Sequence, residues 1–410
     1  MDPRFRPLFN RAYTPELFTR YRARLEQELG PVPFRLAETP FFVSPALRDR
    51  LVSDALEITA QLSRPELLAR MMPIIPERYD TPGMDALPNC LQVDFALTAG
   101  PGGALEGKVV ELQAFPSGYA MMTYFSNAWR DELRALPGLD QDWTCFAKVS
   151  PTEGYDIMRR TLCGETDPRE VALVDFEPLL QKTVPDFVAT RKLFGVETVC
   201  ATELIKRGRS LFRREKGLEV PVKRIYNRMV FDELQVKGYK LPFDFRDDLD
   251  VTWASHPNWY WVWSKYALPF IDHPALPRAR FLSDLKEVPA DLSRYVLKPL
   301  FSFAGSGVVI EVSLEDIARV PEAQRDRWVL QEKIEYAAAV IAPGNIEVKA
   351  EIRVMLLRPP DASRLVPLIL LTRLSRGKMI GVDQNRGTLD WQGGSVGIWP
   401  SAQPDASTGR

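Results

Sequence analysis

The apolar and polar positions along this chain predict a helical first part followed by strands. Between residues 15 and 72, apolar side chains recur at spacings of three and four residues, as on one face of an α-helix. Ser44 and Pro45 are typical of a helix start, with serine as the N-cap and proline at the first helical position. From residue 90 onwards, alternation with a period of two predicts strands.

Residues 90–120 predict a β-hairpin that carries acidic side chains. LQVDFALT and KVVELQAF alternate as strands, and TAGPGGALEG between them is typical of a loop. Asp94 lies on the first arm, whereas Glu111 and Gln113 share one face of the second. Carboxylate and amide oxygens suit Mg²⁺, a hard cation that binds beside phosphates. The alternative explanation is a solvated polar face on an exposed hairpin.

Strands and helices alternate between residues 170 and 238, which predicts a parallel α/β subdomain. Directly after it, residues 250–270 contain four closely spaced tryptophans that we expect in a core or an interface: Trp253, Trp259, Trp261 and Trp263.

A glycine-bearing loop lies between two predicted strands, at residues 295–297 and 308–312. Amides near Gly305 and Gly307 can approach a phosphate closely because no Cβ blocks them. Lys298 ends the first strand, where its ammonium could reach the same phosphates. The Walker order and the dinucleotide fingerprint are both absent, since a strand follows the loop. The stretch predicts a flap over a triphosphate, with a tight hairpin turn as the alternative.

Two further strands are predicted after the flap, at residues 328–334 and 349–357. Glu351 and Arg353, two positions apart on the second strand, share a face and are expected to point into one cleft. A surface ion pair is the alternative.

The succession VLKP, glycine loop, LQEKI and E-x-R strand resembles the ATP-grasp ligases. KVVELQAF, placed ahead of the glycine loop, resembles the metal strand of their circularly permuted members, the eukaryotic-type glutathione synthetases and glutathionylspermidine synthetases. Gln113 stands where that family usually has asparagine, and Ser302 stands where it has a metal-binding glutamate. The resemblance covers residues 90–400.

The resemblance assigns roles to individual residues. It implies that the metal ligands are Asp94, Glu111 and Gln113. It implies that the catalytic or substrate-placing residues are Arg228, Arg353 and Arg373. It implies that the nucleotide contacts are Lys265, Lys298, Ser302, Gly305, Ser306, Gly307, Gln331, Glu332, Lys333, Ile334, Glu351 and Asn385. Val296 and Leu330 are expected walls of an adenine pocket, with core packing as the alternative.

The fold implied by the resemblance is α/β (α+β), an ATP-grasp fold with a helical N-terminal region. N-terminal helices and the metal-site hairpin are expected in residues 1–150. An inserted parallel α/β subdomain on the substrate side is expected in residues 151–250. The nucleotide-binding part with its flap is expected in residues 251–400, and a disordered tail in residues 401–410.

The implied activity is an ATP- and Mg²⁺-dependent ligation of a small-molecule carboxylate to an amine or a thiol, through an acyl-phosphate intermediate and with release of ADP. One alternative is a nucleotide-binding relative with reduced catalysis and a regulatory or scaffold role, which the substitutions at Gln113 and Ser302 favour. The other is a small-molecule kinase.

Composition and charge argue against several classes of binding partner and structural element. A net charge of −1 argues against a nucleic-acid binder. The sequence contains no run of about 18 apolar residues, so no membrane span is predicted. The first residues lack the apolar centre of a secretory signal. Four cysteines without C-x-x-C spacing and two histidines argue against structural zinc and a disulfide framework. We expect a cytoplasmic protein; a homodimer is compatible with the sequence, which does not determine the oligomeric state.

Overall fold

The computed structural model describes residues 1–302, 307–377, 380 and 389–401. Within these residues the α-helices are α1 Arg6–Ala12, α2 Pro15–Leu29, α3 Pro45–Leu62, α4 Pro65–Met71, α5 Tyr119–Leu133, α6 Pro151–Cys163, α7 Val184–Phe194, α8 Phe231–Lys237, α9 Trp259–Val262 and α10 Leu314–Arg319. None of these helices has both the length and the apolar character needed to cross a membrane. The tail predicted at residues 401–410 lies outside the described residues beyond position 401.

The strands of the same residues are β1 Phe41–Phe42, β2 Cys90–Ala99, β3 Leu105–Gln113, β4 Trp143–Thr144, β5 Val171–Asp175, β6 Glu197–Cys200, β7 Ile205–Arg207, β8 Ser210–Glu215, β9 Leu218–Val222, β10 Arg224–Asn227, β11 Thr252–Ala254, β12 Ala279–Phe281, β13 Tyr295–Pro299, β14 Trp328–Glu332, β15 Val340–Ala342, β16 Ile346–Leu357, β17 Val366–Ser375 and β18 Gly393–Pro400. They form four sheets.

The helical N-terminal region is confirmed. Helix α3 begins as predicted: the Ser44 hydroxyl accepts from the Leu47 N–H at 3.4 Å, and Pro45 occupies the first turn. Residues 30–44, which the pattern included in the helical part, instead connect α2 and α3 and contain β1. Strand β1 pairs with β18, so this connection belongs to the large sheet.

The large sheet has the strand order β1-β18-β17-β16-β2-β3, with β15 and β4 paired at its sides. Its centre is antiparallel, and the hairpin predicted in residues 90–120 is β2 and β3. Asp94 pairs with Glu111 and Phe95 pairs with Val109, so Val110 is an extra residue that forms a β-bulge. A bulge leaves the ladder locally open, which frees a carbonyl for another partner.

The second sheet has the order β11-β10-β5-β6, and each pair in it is parallel. The predicted parallel strands are therefore present, and their assignment to a separate α/β subdomain stays a prediction. Residues 205–222, within the stretch predicted to alternate strand and helix, instead form the antiparallel sheet β7-β8-β9. The four clustered tryptophans are all buried, as expected for a core.

The fourth sheet has the order β12-β14-β13 and covers a small core of its own that includes Leu297, Ile317 and Leu330. The strand predicted at residues 308–312 is reduced to one bridge, in which Val309 and Leu297 exchange both backbone hydrogen bonds at 2.9 Å. Lys298 ends up at the penultimate position of β13, close to its predicted place at the strand end.

Candidate functional site

A cavity of about 380 Å³ lies where the large sheet faces the β12-β14-β13 sheet. It brings together predicted site residues from distant parts of the chain, namely Glu111, Gln113, Lys265, Lys298, Ser302, Gln331, Glu332, Lys333, Ile334, Glu351, Arg353 and Arg373. Asp94 is buried next to this set, and Gly307 lies beside Pro299. Three predicted residues, Gly305, Ser306 and Asn385, lie outside the described residues.

Lys298 connects the small sheet to the bulge in β3. Its Nζ donates to the Val110 carbonyl oxygen at 2.9 Å and to Gln331 Oε1 at 2.7 Å. Residues 110 and 298 are 188 positions apart, so only the tertiary fold makes this contact. Burial lowers the pKa of Lys298 to about 8. The lysine is therefore a buried cation that two neutral oxygens hold in place.

Lys265 approaches the same cavity from the segment after α9. Its Nζ donates to the Ser302 carbonyl oxygen at 2.7 Å and to the Ser302 hydroxyl at 3.0 Å. Ser302 is the last described residue before the glycine loop. The second lysine thus holds the base of the flap segment and presents its charge beside Lys298.

One face of the large sheet lines the cavity. Directly paired residues lie on the same face of a sheet. Across β3, β2, β16 and β17 one row of paired residues is Glu111, Asp94, Arg353 and Leu371. The row beside it contains the pair Glu351 and Arg373. The prediction that Glu351 and Arg353 share a strand face is confirmed, and both side chains line the cavity.

Asp94 is the centre of a buried charge cluster. Arg353 binds it with two hydrogen bonds, from Nε at 2.5 Å and from Nη2 at 2.7 Å. Arg373 Nη2 donates to both Asp94 and Glu351. Burial opposes the charge of Asp94, but the two guanidiniums outweigh it and hold the pKa of Asp94 below its usual value. Both of its oxygens are engaged, so metal coordination by Asp94 would require an arginine to leave and stays a prediction.

The pKa of Glu351 is shifted in the opposite direction from that of Asp94. Burial raises its pKa, and the nearby charges of Asp94 and Glu111 add to this effect although Arg373 opposes it. The Tyr336 hydroxyl donates to Glu351 Oε2 at 3.0 Å. The cavity therefore contains one carboxylate stabilised in its charged form and one pushed towards its neutral form.

Glu111 differs from both. It is half-buried and lines the cavity, and its carboxylate has no hydrogen-bond or ion-pair partner among the described residues. The neighbouring Gln113 is engaged: in the amide orientation that satisfies its surroundings, its oxygen accepts from Arg353 Nη1 at 3.1 Å. Of the three predicted metal ligands, Glu111 is therefore the one that lines the cavity without a partner from residues 1–302, 307–377, 380 and 389–401.

The predicted adenine hinge, residues 331–334, lines the cavity, but several of its polar groups are already engaged. Gln331 is fully buried, holds Lys298 with its oxygen and donates to the Val109 carbonyl at 3.3 Å. The N–H groups of Glu332 and Lys333 donate to the Arg278 and Arg294 carbonyls. These two N–H groups are therefore not available to a base edge.

The two residues expected to form the walls of an adenine pocket lie on opposite faces of the small sheet. Val296 lies on the same face of β13 as Lys298 and lines the cavity. Leu330 faces the other side of its sheet and packs with Leu297 in the small core. Packing in the core is therefore the correct alternative for Leu330.

Arg228 lies beside the cavity and forms hydrogen bonds with residues near its lining. It donates to the Pro116 carbonyl and, at 3.1 Å, to the Thr183 hydroxyl. Its guanidinium lies over the Phe115 and Phe187 rings, at 5.1 and 5.4 Å from their centroids. Arg228 is buried and does not line the cavity, so the predicted substrate contact would need it to move.

Some site residues were missed by the sequence reasoning. Gln92 accepts from Arg353 Nη1 at 2.8 Å, and its position two residues before Asp94 on the same strand face was an available signal. Tyr336 and the carbonyl of Val110 had no such signal, because a loop position and a bulge place them.

The sequence matches no protein-family model and no curated protein. Among solved structures, the fold is similar to that of a glutathione synthetase-like effector from Globodera pallida in its apo form. The TM-score is 0.57 at 14% sequence identity, and the alignment covers 88% of this chain and 94% of that chain. At this identity the similarity shows the fold alone. The chain is thus similar in fold to a glutathione synthetase-like protein, which supports the mixed α/β class, while the ATP-grasp assignment and the circular permutation stay predictions.

Proposed function

We propose that this chain is an ATP- and Mg²⁺-dependent ligase that joins a carboxylate to an amine or a thiol. One observation carries the proposal. Lys298 and Glu111 are far apart in the sequence but line one cavity. The Lys298 ammonium donates a hydrogen bond to the carbonyl oxygen of Val110, the residue before Glu111. A buried cation beside a carboxylate that has no partner in the described part of the chain is the pair of charges that a metal-bound polyphosphate would complement.

The phosphate groups of ATP fit the lysine side of the cavity. Lys298 is held by two neutral oxygens, and Lys265 by the carbonyl and hydroxyl of Ser302. Among the described residues no carboxylate directly contacts either ammonium, so each can gain a charge-assisted hydrogen bond to phosphate. The base would lie against Val296 and the segment from Lys333 onwards.

Mg²⁺ fits the carboxylate side. It usually binds through one or two carboxylates together with phosphates and water. Glu111 offers an unengaged carboxylate, and Glu351 lies in the same cavity. When bound, the metal would neutralise charge that develops on the phosphates. Asp94 and Gln113 contribute indirectly in this arrangement, because they hold Arg353 in place.

The arginines would orient the acid. Arg353 and Arg373 are fixed by Asp94 and Glu351, so their positions are set before a substrate binds. Transfer of the γ-phosphoryl group of ATP to the substrate carboxylate would release ADP and form an acyl-phosphate. Attack of an amine or a thiol on the acyl carbon would then displace inorganic phosphate. This chemistry relies on positioning and charge stabilisation and needs no covalent nucleophile from the protein.

A second candidate is a nucleotide-binding protein without ligase activity. Two observations favour it: arginines engage both oxygens of Asp94, and Ser302 provides no carboxylate in the flap. A small-molecule kinase is the third candidate, since it would use the same phosphate contacts.

Trapping of the activated acid separates these candidates. The protein is incubated with ATP, Mg²⁺, pooled carboxylic acids and hydroxylamine, and ADP and hydroxamate are measured. A ligase forms both in equal amounts. ADP with a stable phosphorylated product indicates a kinase. Tight nucleotide binding without ADP formation in any pool contradicts the proposed ligase.

A further inference from the structure

One end of the cavity is lined by apolar side chains, which we name the apolar lobe: Phe34, Met121, Met122, Phe125 and Leu371. The Phe34 and Phe125 rings stack at 6.4 Å between centroids. A Cβ placed on Gly118 would lie 3.5 Å from Leu371 Cδ1 and 3.9 Å from Met121 Cε, so both side chains lie close to that glycine. The five residues come from three separate parts of the chain and form one surface.

The register of the large sheet gives the distance from Glu111 to the apolar lobe. Glu111, Asp94, Arg353 and Leu371 are paired in sequence across β3, β2, β16 and β17. Neighbouring strands lie about 4.8 Å apart, so Leu371 lies about 14 Å from Glu111 along this row. Arg353 lies between Glu111 and Leu371 in this row. An acid held by its carboxylate near Arg353 would therefore extend its remaining atoms towards Leu371.

Three charged residues of the described chain that lie close to the apolar lobe, Asp186, Arg228 and Lys182, have partners within the protein. The first turn of α5 lies at its edge, and Asp186 caps it by accepting from the Gly118 N–H at 2.8 Å and from the Met121 N–H at 3.0 Å. Arg228 is held by Pro116 and Thr183. Lys182 lines the cavity nearby but has an interaction within the protein. In the part of the chain that the structure describes, no carboxylate belongs to the apolar lobe.

The apolar side chains of the lobe offer no partner for the charges of a zwitterionic substrate. A peptide acid has an ammonium group and a second carboxylate, and burying either without a partner costs several kcal/mol in general. An alkyl or aryl body gains from the same surface, because it is removed from water.

We infer that the acid substrate is a monocarboxylate with an uncharged, apolar body, and that the apolar lobe selects this body. The role of the ligand as a substrate rests on the proposed function. Its binding does not require turnover, so the two ideas can fail separately.

The test compares two probes by isothermal titration calorimetry on the full chain, with and without ATP and Mg²⁺. 4-Phenylbutanoate has one carboxylate and an apolar body, whereas glutathione has two carboxylates and an ammonium group. We expect 4-phenylbutanoate to bind at least ten times more tightly. Leu371→Gln and Met121→Gln should each weaken its binding at least fivefold. Leu371 is half-buried, so Leu371→Gln should fold even if Met121→Gln does not.

Ile341→Gln is the matched control, because Ile341 is 41% exposed on β15 and does not line the cavity. It should leave the affinity for 4-phenylbutanoate unchanged. The inference is overturned if glutathione binds as tightly as 4-phenylbutanoate, if neither probe binds, or if Leu371→Gln has no more effect than Ile341→Gln. Binding of 4-phenylbutanoate without ATP turnover in any acid pool would support the inference and contradict the ligase.

Discussion

Replacing Lys298 with methionine tests the nucleotide site with a side chain of similar length and no charge. In the wild type, the ammonium is held by the Val110 carbonyl and the Gln331 amide oxygen, and it faces the cavity. Removal of a charge-assisted hydrogen bond to phosphate should cost about 1.5–3 kcal/mol. This corresponds to a rise of about 10- to 150-fold in the Kd for ATP.

The fold should tolerate this change because two effects of similar size oppose each other. Burial lowers the pKa of Lys298 from 10.5 to about 8. At about 1.4 kcal/mol per pH unit, keeping the charge at pH 7 costs the folded state about 3 kcal/mol. Methionine removes this cost but leaves two buried oxygens without their donor, each at a cost of about 1–3 kcal/mol. We therefore expect little change in the midpoint of unfolding.

The lowered pKa also determines the sign of the pH dependence. Between about pH 8 and 10.5, the unfolded chain binds more protons at Lys298 than the folded chain does. The contribution of this residue to stability therefore rises with pH over that interval. The affinity for ATP should fall above about pH 8, because the neutral lysine loses its attraction to phosphate. Lys298→Met should lose both contributions.

Calorimetric titration with a nonhydrolysable ATP analogue and Mg²⁺, at pH 7 and pH 9, measures these effects. Lys286→Met is the matched control, since Lys286 is exposed in the same part of the chain and should leave both Kd and its pH dependence unchanged. An unchanged Kd in Lys298→Met, in a protein with the wild-type midpoint of unfolding, would refute the assignment of Lys298.

Three further substitutions test the cavity. Glu111→Gln should leave the stability near that of the wild type, because this carboxylate has no protein partner among the described residues, and should lower metal-dependent ADP release by about 100-fold or more. Asp94→Asn should lower the free energy of unfolding by about 3–5 kcal/mol, since it leaves Arg353 buried without its charged partner. In the wild type, the lowered pKa of Asp94 adds stability that is lost as the pH falls below about 4. Gly307→Ala should cost about 1–2 kcal/mol at its φ of +72°, and should weaken ATP binding because Pro299 Cγ would lie 3.1 Å from the new methyl group.

Each of these substitutions has a matched control. Glu106→Gln changes the same strand as Glu111 outside the cavity and should leave ADP release unchanged. Asp244→Asn breaks an exposed pair with Arg246 and should cost less than about 1 kcal/mol. Gly208→Ala has a similar φ of +60° with open space around it, so it should cost stability without changing the Kd for ATP. ADP assays compare the Glu111 pair, chemical unfolding the Asp94 pair, and calorimetric titration with ATP the Gly307 pair. An equal effect of a substitution and its control in that assay would contradict the corresponding role.

Local patterns determined much of the fold. Ser44 and Pro45 start a helix because the cap hydroxyl and the fixed proline φ act within one turn. The β2–β3 hairpin and the placement of Glu351 beside Arg353 follow from the alternation of side chains along a strand. The parallel pairing of β5, β6 and β10 follows from alternating strands and helices. In each case the information lies within a few residues or within one repeating unit.

The state of each site residue depends on partners that the sequence alone does not show. Asp94 and Glu111 are both acids on one hairpin, but β16 and β17 bring two arginines to Asp94 and none to Glu111. Gln331 had the position of a base-reading residue, yet it serves to hold Lys298 against the large sheet.

The sequence by itself determined which residues share a strand face, which segments are helical and that a lysine stands before the glycine loop. Only the tertiary structure decided which carboxylate is unengaged, that the bulge at Val110 receives Lys298, and that the far end of the cavity is apolar. The physical reason is the range of the interactions. Strand and helix periods are set by backbone geometry within a few residues, whereas ion pairs and cavities form between segments that approach only when the sheets pack.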